Sequence, residues 1–333
     1  MRSGTRGTAV RTERGVWAFA TLAAAFVTIG AGAQDIDFAA AEIRVWPVRG
    51  NVYMLVGPVG NSVVQVGDQG VIIVDTQFAE LSDKILAAIG SLSDRPIRYV
   101  INTHAHPDHT GGNESIAGAG STVAGGNVSG AIADAGEGAA IVAHENVMAA
   151  MASQEPALPF DALPTDTFFT DQKDLYFNGE AIQILYQPNA HTNGDSLVHF
   201  RSSDVIAAGD LFVTTTYPFI DEEAGGRIDG IIAALNRVIK IAVPADKQEG
   251  GTYIVPGHGR LADEADVVEY RDMLTIIRDR VKDMVDQGMS LRQVQAARPT
   301  RDYDGRYGAD SGFWTTEQFV AAVYRTLRDG TGD

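Results

Sequence analysis

The chain has 333 residues, 43 Asp and Glu against 26 Lys and Arg, a formal charge of −17 at pH 7 and no cysteine. That acidity excludes nucleic-acid binding, which needs clustered Lys and Arg. The missing cysteine excludes disulfides, thiolate ligands and thiol nucleophiles, so any metal here is held by nitrogen and oxygen alone.

Residues 1–33 read as a signal peptide. Arg2, Arg6, Arg11 and Arg14 form a basic start, Val16 to Ile29 is apolar, and Ala31-Gly32-Ala33 supplies a small-x-small cleavage pattern. The apolar run is short for a bilayer span and lacks a stop-transfer flank, an uncleaved anchor being the alternative. The expectation is a bacterial protein, periplasmic or secreted, with no stable membrane association once the leader is cleaved near Ala33. Cleavage would remove four Arg and one Glu and take the charge from −17 to near −20. Residues 34–333 have room for one large α/β domain.

From Ile43 the pattern is a meander of short β runs: Ile43–Trp46, Val52–Val56, Ser62–Val66 and Val71–Val74, separated by Gly, Pro and Asn. Phe78 to Ile89 has helical spacing, with Leu81, Ile85, Leu86 and Ile89 on one stripe. Arg98 to Asn102 is the next strand. Residues 114–139 form a Gly/Ala-rich insertion, either a mobile edge of the site or a plain surface loop. Ala140–Ala143 resumes a strand, Glu145–Met151 a helix, and Pro156, Pro159 and Pro164 break a connecting loop. Further strands are predicted at 175–177, 182–186, 196–200, 205–208 and 253–255, with helices at 228–243 and 263–287. A last helix, capped by Thr315 or Thr316 with Glu317 nearby, runs to about Leu327. Strands with a helix, then strands with helices again, imply two similar halves whose sheets face each other with helices outside.

Thr103 to Gly112 packs three imidazoles and a carboxylate into residues 104–109: His104, His106, Asp108 and His109. Rings this close cannot all find partners in a core, whereas a metal accounts for them, because neutral imidazole and carboxylate suit zinc. Three more sites sit at strand-to-loop junctions beside glycines: His191, Asp210 after Val205–Gly209, and His258 in Pro256-Gly257-His258-Gly259. Asp210 as a simple turn cap is the competing reading. Of the seven histidines only His144 and His199 lie elsewhere; His199 is expected to be structural and His144 to start a helix or lie at the surface. Asp195 is expected to shape its loop, and Asn102 and Thr103 to orient rings.

This arrangement resembles the metallo-β-lactamase fold superfamily, whose signature is His-x-His-x-Asp-His followed by separate His, Asp and His positions. The resemblance implies an α/β fold, the four-layer αβ/βα sandwich, with residues 34–333 as a single hydrolase domain. It assigns His104, His106 and His191 to a first metal, Asp108, His109 and His258 to a second, and Asp210 to bridge them, with Asp108 and Asp210 as the catalytic carboxylates. Such a division leaves each metal an open position, and paired dications acidify a bridging water to hydroxide near neutral pH. The implied cofactor is two Zn2+ per chain, iron or manganese being alternatives. The implied reaction is hydrolysis of an ester, lactone, thioester or β-lactam-type amide of a small molecule by metal-bound hydroxide. Alternatives are a β-lactamase proper, which Asp210 disfavours, and a mononuclear iron enzyme like the sulfur dioxygenases. Tyr217 and Phe219 line a substrate pocket or pack in the core.

Overall fold

The protein is described by a computed structural model over residues 36–122 and 138–328, together with Met1. Residues 2–33 of the expected leader and residues 123–137 of the expected insertion lie outside the described residues.

One sheet contains β1 (Arg44–Arg49), β2 (Val52–Val56), β3 (Asn61–Gly67), β4 (Gly70–Val74), β5 (Ile97–Ile101), β6 (Ala140–His144) and β7 (Asp166–Phe168), adjacent in that order. Its first three pairings are antiparallel and its last three parallel. The second sheet contains β8 (Gln172–Phe177), β9 (Glu180–Tyr186), β10 (Ser196–Phe200), β11 (Val205–Val213) and β12 (Tyr253–His258), in the spatial order β12-β11-β10-β9-β8. Only β11 and β12 run parallel there. Among the described residues the helices are α1 (Ser82–Leu92), α2 (Pro107–Thr110), α3 (Asn113–Gly118), α4 (Glu145–Ala152), α5 (Ile228–Ile241), α6 (Glu264–Asp286), α7 (Leu291–Ala297), α8 (Asp304–Tyr307) and α9 (Thr316–Arg328). None of them is long and apolar enough to cross a membrane.

The period-2 alternation of the strands builds the layers. Met54, Val63, Ile72 and Val74 point inward and meet Ile184, Val198, Phe200 and Val205 of the facing sheet. Their neighbours Leu55, Val64, Val71 and Ile73 point outward onto Leu81, Ile85 and Ile116. On the far side, Leu197, Ile206 and Ala208 pack against Ile231 and Leu235 of α5, Leu274 and Ile277 of α6, and Phe319 of α9. The result is helix, sheet, sheet, helix: the four-layer sandwich.

Several element ends differ from the pattern read in the sequence. A 3₁₀ turn at Ala79–Leu81 delays α1 until Ser82. At α9 the cap is Thr315, whose hydroxyl accepts from Gln318 N at 3.2 Å while Gln318 Oε1 accepts from Thr315 N at 2.8 Å, so Glu317 has no part in it. Strand β7 and helix α7 had no predicted counterpart. β7 is three residues long, below what alternation can reveal, whereas α7 carries a readable capping box, Ser290 with Gln293.

The parallel pairs β4–β5 and β11–β12 decide where the polar side chains gather. Parallel neighbours share a C-terminal edge, and the loops leaving that edge carry the polar clusters. Phe200, fully buried between the sheets, tests the layer: Phe200→Ala should lower unfolding free energy by about 3–5 kcal/mol, read as a fall in denaturant midpoint at constant m-value. A change below about 1 kcal/mol would show that the two sheets are not held by this layer.

Candidate metal centre

The loop leaving β5 carries His104 and His106, and Pro107 then opens α2, whose single turn presents Asp108 and His109. His191 comes from the loop after β9, Asp210 from within β11, and His258 ends β12. Two glycines make this approach possible. A Cβ on Gly257 would stand 2.0 Å from Asp210 Oδ1, and Gly209, at φ +49°, would bring one to 2.6 Å from Thr103 Oγ1.

The seven expected residues converge. His106 Nδ1 lies 3.2 Å from His104 Nε2 and 3.0 Å from His191 Nε2. Asp108 Oδ2 lies 3.5 Å from His109 Nε2 and 3.4 Å from His258 Nε2. Between these two groups sits Asp210, with Oδ1 3.2 Å from His109 Nε2 and Oδ2 3.2 Å from His258 Nε2 and 3.8 Å from His191 Nε2. The ligand atoms of each triad fall within 4.8 Å of one another. His104, His109 and His191 are fully buried, while Asp108 and His258 face a large cavity.

Outer partners fix every ring. His191 Nδ1 donates to Phe219 O at 2.7 Å and His258 Nδ1 to Val59 O at 2.8 Å, since a carbonyl can only accept. His106 Nε2 donates to Asp221 Oδ2 and His109 Nδ1 to Asp75 Oδ2, each at 2.9 Å. Thr103 uses its one hydroxyl proton on Asp75 Oδ2 at 2.7 Å, so at 3.1 Å from His104 Nδ1 it accepts. Each imidazole therefore turns its other nitrogen toward the centre. Five ring nitrogens and two carboxylates face one another, and Asp210 Oδ1 is buried without a hydrogen bond. Only protons or cations can relieve such a grouping. The donor set fits dications such as zinc, three histidines on one side and two histidines with an aspartate on the other.

In the protein alone the two halves respond differently. Burial first, then the neighbouring rings, hold His104 well below the ordinary histidine range, and burial with His106 brings His191 down to about 4. Burial also opposes charge on His109 and His258, but there the neighbouring carboxylates, Asp210 foremost, together outweigh it, raising His109 well above the ordinary range and His258 to about 9. Asp210 is correspondingly held low: burial resists its ionisation, and His258 and His109 override that.

Two of the outer partners, Asp75 and Asp221, were not singled out from the sequence. Asp75 follows the apolar run Val71–Val74 as Asp210 follows the run Val205–Gly209, and that repetition is a signal. Asp221 lies in the aromatic stretch from Tyr217 but nothing local ties it to His106, 115 residues away. Thr103 touches a ring, as expected; Asn102 instead exchanges amide hydrogen bonds with Asn113 at 3.0 and 2.9 Å. Asp195 shapes its loop, accepting from Thr192 N at 2.7 Å and Thr192 Oγ1 at 2.9 Å, and burial pushes its carboxyl up to about 7. His144 caps α4, accepting from Asn146 N, and stacks on Tyr186 at 3.7 Å; it is buried rather than at the surface. His199 is buried with neither ring nitrogen hydrogen-bonded.

A sequence model described as the metallo-beta-lactamase superfamily matches residues 55–269. The 2,4-dinitroanisole O-demethylase subunit alpha of Nocardioides sp. (strain JS1661) is 26% identical over 181 residues, which is 53% of this chain and 48% of that protein. The chain thus spans about half the length of this relative. Among solved structures, a double mutant of the sec-alkyl sulfatase PisA1 from Pseudomonas sp. superposes with a TM-score of 0.62 at 15% identity, covering 85% of this chain and 50% of that one. A metallo-beta-lactamase from Pontibacter korlensis gives 0.53 at 16% identity, covering 70% and 99%. At these identities the likeness is one of fold.

The geometry makes two predictions. Asp221→Ala frees the His106 ring and should weaken zinc binding about 10- to 100-fold, measured by chelator competition; unchanged affinity would mean the hydrogen bond does not hold the ring. Burial lowers the proton affinity of His104 and His191, whereas the carboxylates around His109 and His258 raise theirs, so a cation entering the second group displaces more protons. Calorimetric titration of metal-free protein in buffers of differing ionisation enthalpy should show unequal proton release by the two equivalents of zinc. Equal release would contradict the unequal halves.

Proposed function

The chain belongs to the metallo-beta-lactamase superfamily, and from that premise we propose that it is an exported dinuclear zinc hydrolase that cleaves an ester, lactone, thioester or β-lactam-type amide of a small molecule. Superfamily membership carries the coarser part, a metal-dependent hydrolase. The observation that carries the finer part is the set of five inward-facing ring nitrogens and two carboxylates, each ring held by its own outer partner.

His104, His106 and His191 would hold one ion, Asp108, His109 and His258 the other, and Asp210 both. Zinc bound there supplies Lewis acidity toward a substrate carbonyl and acidifies water. The protein's own groups do the remainder. Asp75, Asp221 and the carbonyls of Phe219 and Val59 keep the ring nitrogens aimed. Asp108, with its side chain 16% exposed to the cavity, is placed to take the proton of the attacking water and return it to the leaving group. Neither a serine nor a cysteine nucleophile is needed. The named relatives, a demethylase subunit, an alkyl sulfatase and a β-lactamase, share no one substrate, so the choice among esters, lactones, thioesters and amides rests on the cavity. Export rests on the basic, then apolar, then small-residue pattern of residues 1–33.

The test combines metal content with turnover. Zinc-loaded protein should contain two Zn2+ per chain by elemental analysis and hydrolyse members of an ester, lactone, thioester and nitrocefin panel without consuming oxygen. Asp210→Ala should lose zinc and lower kcat/KM by at least about 100-fold, with an unchanged circular dichroism spectrum. Full activity in that variant removes the bridging role, and oxygen uptake by an iron-loaded protein would replace hydrolysis with oxygenation.

A further inference from the structure

The centre opens onto a cavity of about 820 Å³ whose floor is His106, Asp108, Asp210 and His258. Its walls come from separate parts of the chain: the turn between β2 and β3, Phe78, the segment after β11, and residues 309–314 before α9. Phe219 joins wall to floor. Its ring lies 5.8 Å from that of His106 and 5.7 Å from that of His191, while Phe313 and Trp314 meet it edge-on at 5.0 and 4.8 Å. An aromatic surface therefore runs from the ligand rings to the mouth, where Phe313 is 43% exposed.

The polar groups in this wall are engaged by the protein itself. Asn61 Nδ2 donates to Pro256 O at 2.9 Å and Gly259 O at 3.1 Å. Trp314 Nε1 donates to Pro218 O at 3.0 Å, and the Tyr217 hydroxyl is within 3.2 Å of Thr300 O and 3.1 Å of Asp304 Oδ1. Among the described residues, the one Lys or Arg lining the cavity is Arg260, which forks onto both oxygens of Asp266 at 2.9 and 2.5 Å. What remains is uncharged: Thr215, Thr216 and Ser311. A carboxylate carried into this wall would lose its water and meet one cation, Arg260, that Asp266 already holds, and an ammonium would find no carboxylate in the wall left unpaired. The protein's net charge of −17 adds a general penalty against anions.

We propose that the substrate is a neutral ester or lactone bearing one large apolar group, its carbonyl over the floor and its apolar part along Phe219, Phe313 and Trp314. This rests on the hydrolase reading and narrows it. Water's oxygen bonds to the acyl carbon, the acyl C–O bond breaks, and water's proton goes to the departing oxygen, leaving acid and alcohol with nothing else consumed. β-Lactams, which carry a carboxylate beside the ring, and lactoylglutathione, with two carboxylates and an ammonium, fit the wall poorly.

The test uses the zinc-loaded full chain with 4-nitrophenyl esters from acetate to dodecanoate. Each added methylene should raise kcat/KM by up to about fourfold until the cavity is filled, and nitrocefin and lactoylglutathione should fall at least about 100-fold below the best ester. Phe313→Ala should flatten the chain-length slope, whereas Phe169→Ala, exposed and remote from the cavity, should preserve it. Without turnover, alkyl methyl ketones titrated into metal-free protein should shift the emission of Trp314 with affinity rising along the same series, a response lost in Trp314→Phe. A flat slope, or a charged substrate preferred over the long esters, overturns the substrate class and leaves the hydrolase reading standing. Hydrolysis of nothing on the panel by zinc-loaded protein overturns that reading and this one with it. Chain-length-dependent ketone binding supports the apolar subsite independently of turnover.

Discussion

The structure turns on an enforced crowding of polar groups. Five imidazoles have one nitrogen each committed outward, so their inner nitrogens meet at distances of 3.0 to 3.5 Å around two carboxylates. Groups so arranged would rotate apart in a loop free to move. They do not because the outer acceptors are anchored in the scaffold: Asp75 at the end of β4, Val59 O in the turn before β3, and Phe219 O with Asp221 in one short segment. A buried polar cluster without counter-charge lowers stability, and here that destabilisation is concentrated at the sheet edge where positive charge is to be received. The raised proton affinity of His109 and His258 expresses the same demand in the protein alone.

The sheets tolerate this destabilisation because the centre sits outside their packed layers. Parallel pairing of β4 with β5 and of β11 with β12 brings four strand ends to one edge, while the apolar alternation of the same strands continues behind them. Backbone strain is found at that edge as well. Asp75 and Gln77 adopt φ of 60° and 54°, left-handed values that non-glycine residues avoid, at about 1–3 kcal/mol each. The turn they make lets Asp75 accept from Thr103 N at 2.8 Å as well as from the Thr103 hydroxyl and His109. Strain near Asp75 is thus tied to the orientation of two ligand rings.

Much of this was legible in the chain, and for a physical reason. The expected ligands are crowded, follow apolar strands and stand beside glycines, and each of those marks is local. The sandwich was legible because alternation and helical spacing are local too. Asp75 and Asp221 were harder, since a lone carboxylate after a strand or in a loop looks like an ordinary cap until folding brings His109 and His106 against it. The aromatic wall was hardest of all. Phe219 could be suspected of lining a pocket, but Phe313 and Trp314 join it from more than 90 residues away, and no spacing rule spans that distance.

The segment Tyr217 to Asp221 shows why wall and centre are not independent parts. Tyr217 is anchored to Thr300 and Asp304, Pro218 O receives the Trp314 indole, Phe219 O receives His191, and Asp221 receives His106. Five consecutive residues therefore set both the aromatic surface and the aim of two rings in the three-histidine triad. Bulk added to Phe219 would push on the backbone that holds His191, so a change of substrate fit there also disturbs the centre. Phe313 carries no such burden: its ring packs on Phe219 from outside, and the hydrogen bond that ties this stretch to the segment comes from Trp314. Along this wall, freedom to vary should increase with distance from the backbone that orients the imidazoles, which makes the mouth of the cavity, rather than its floor, the place where substrate preference can change while the histidines stay aimed.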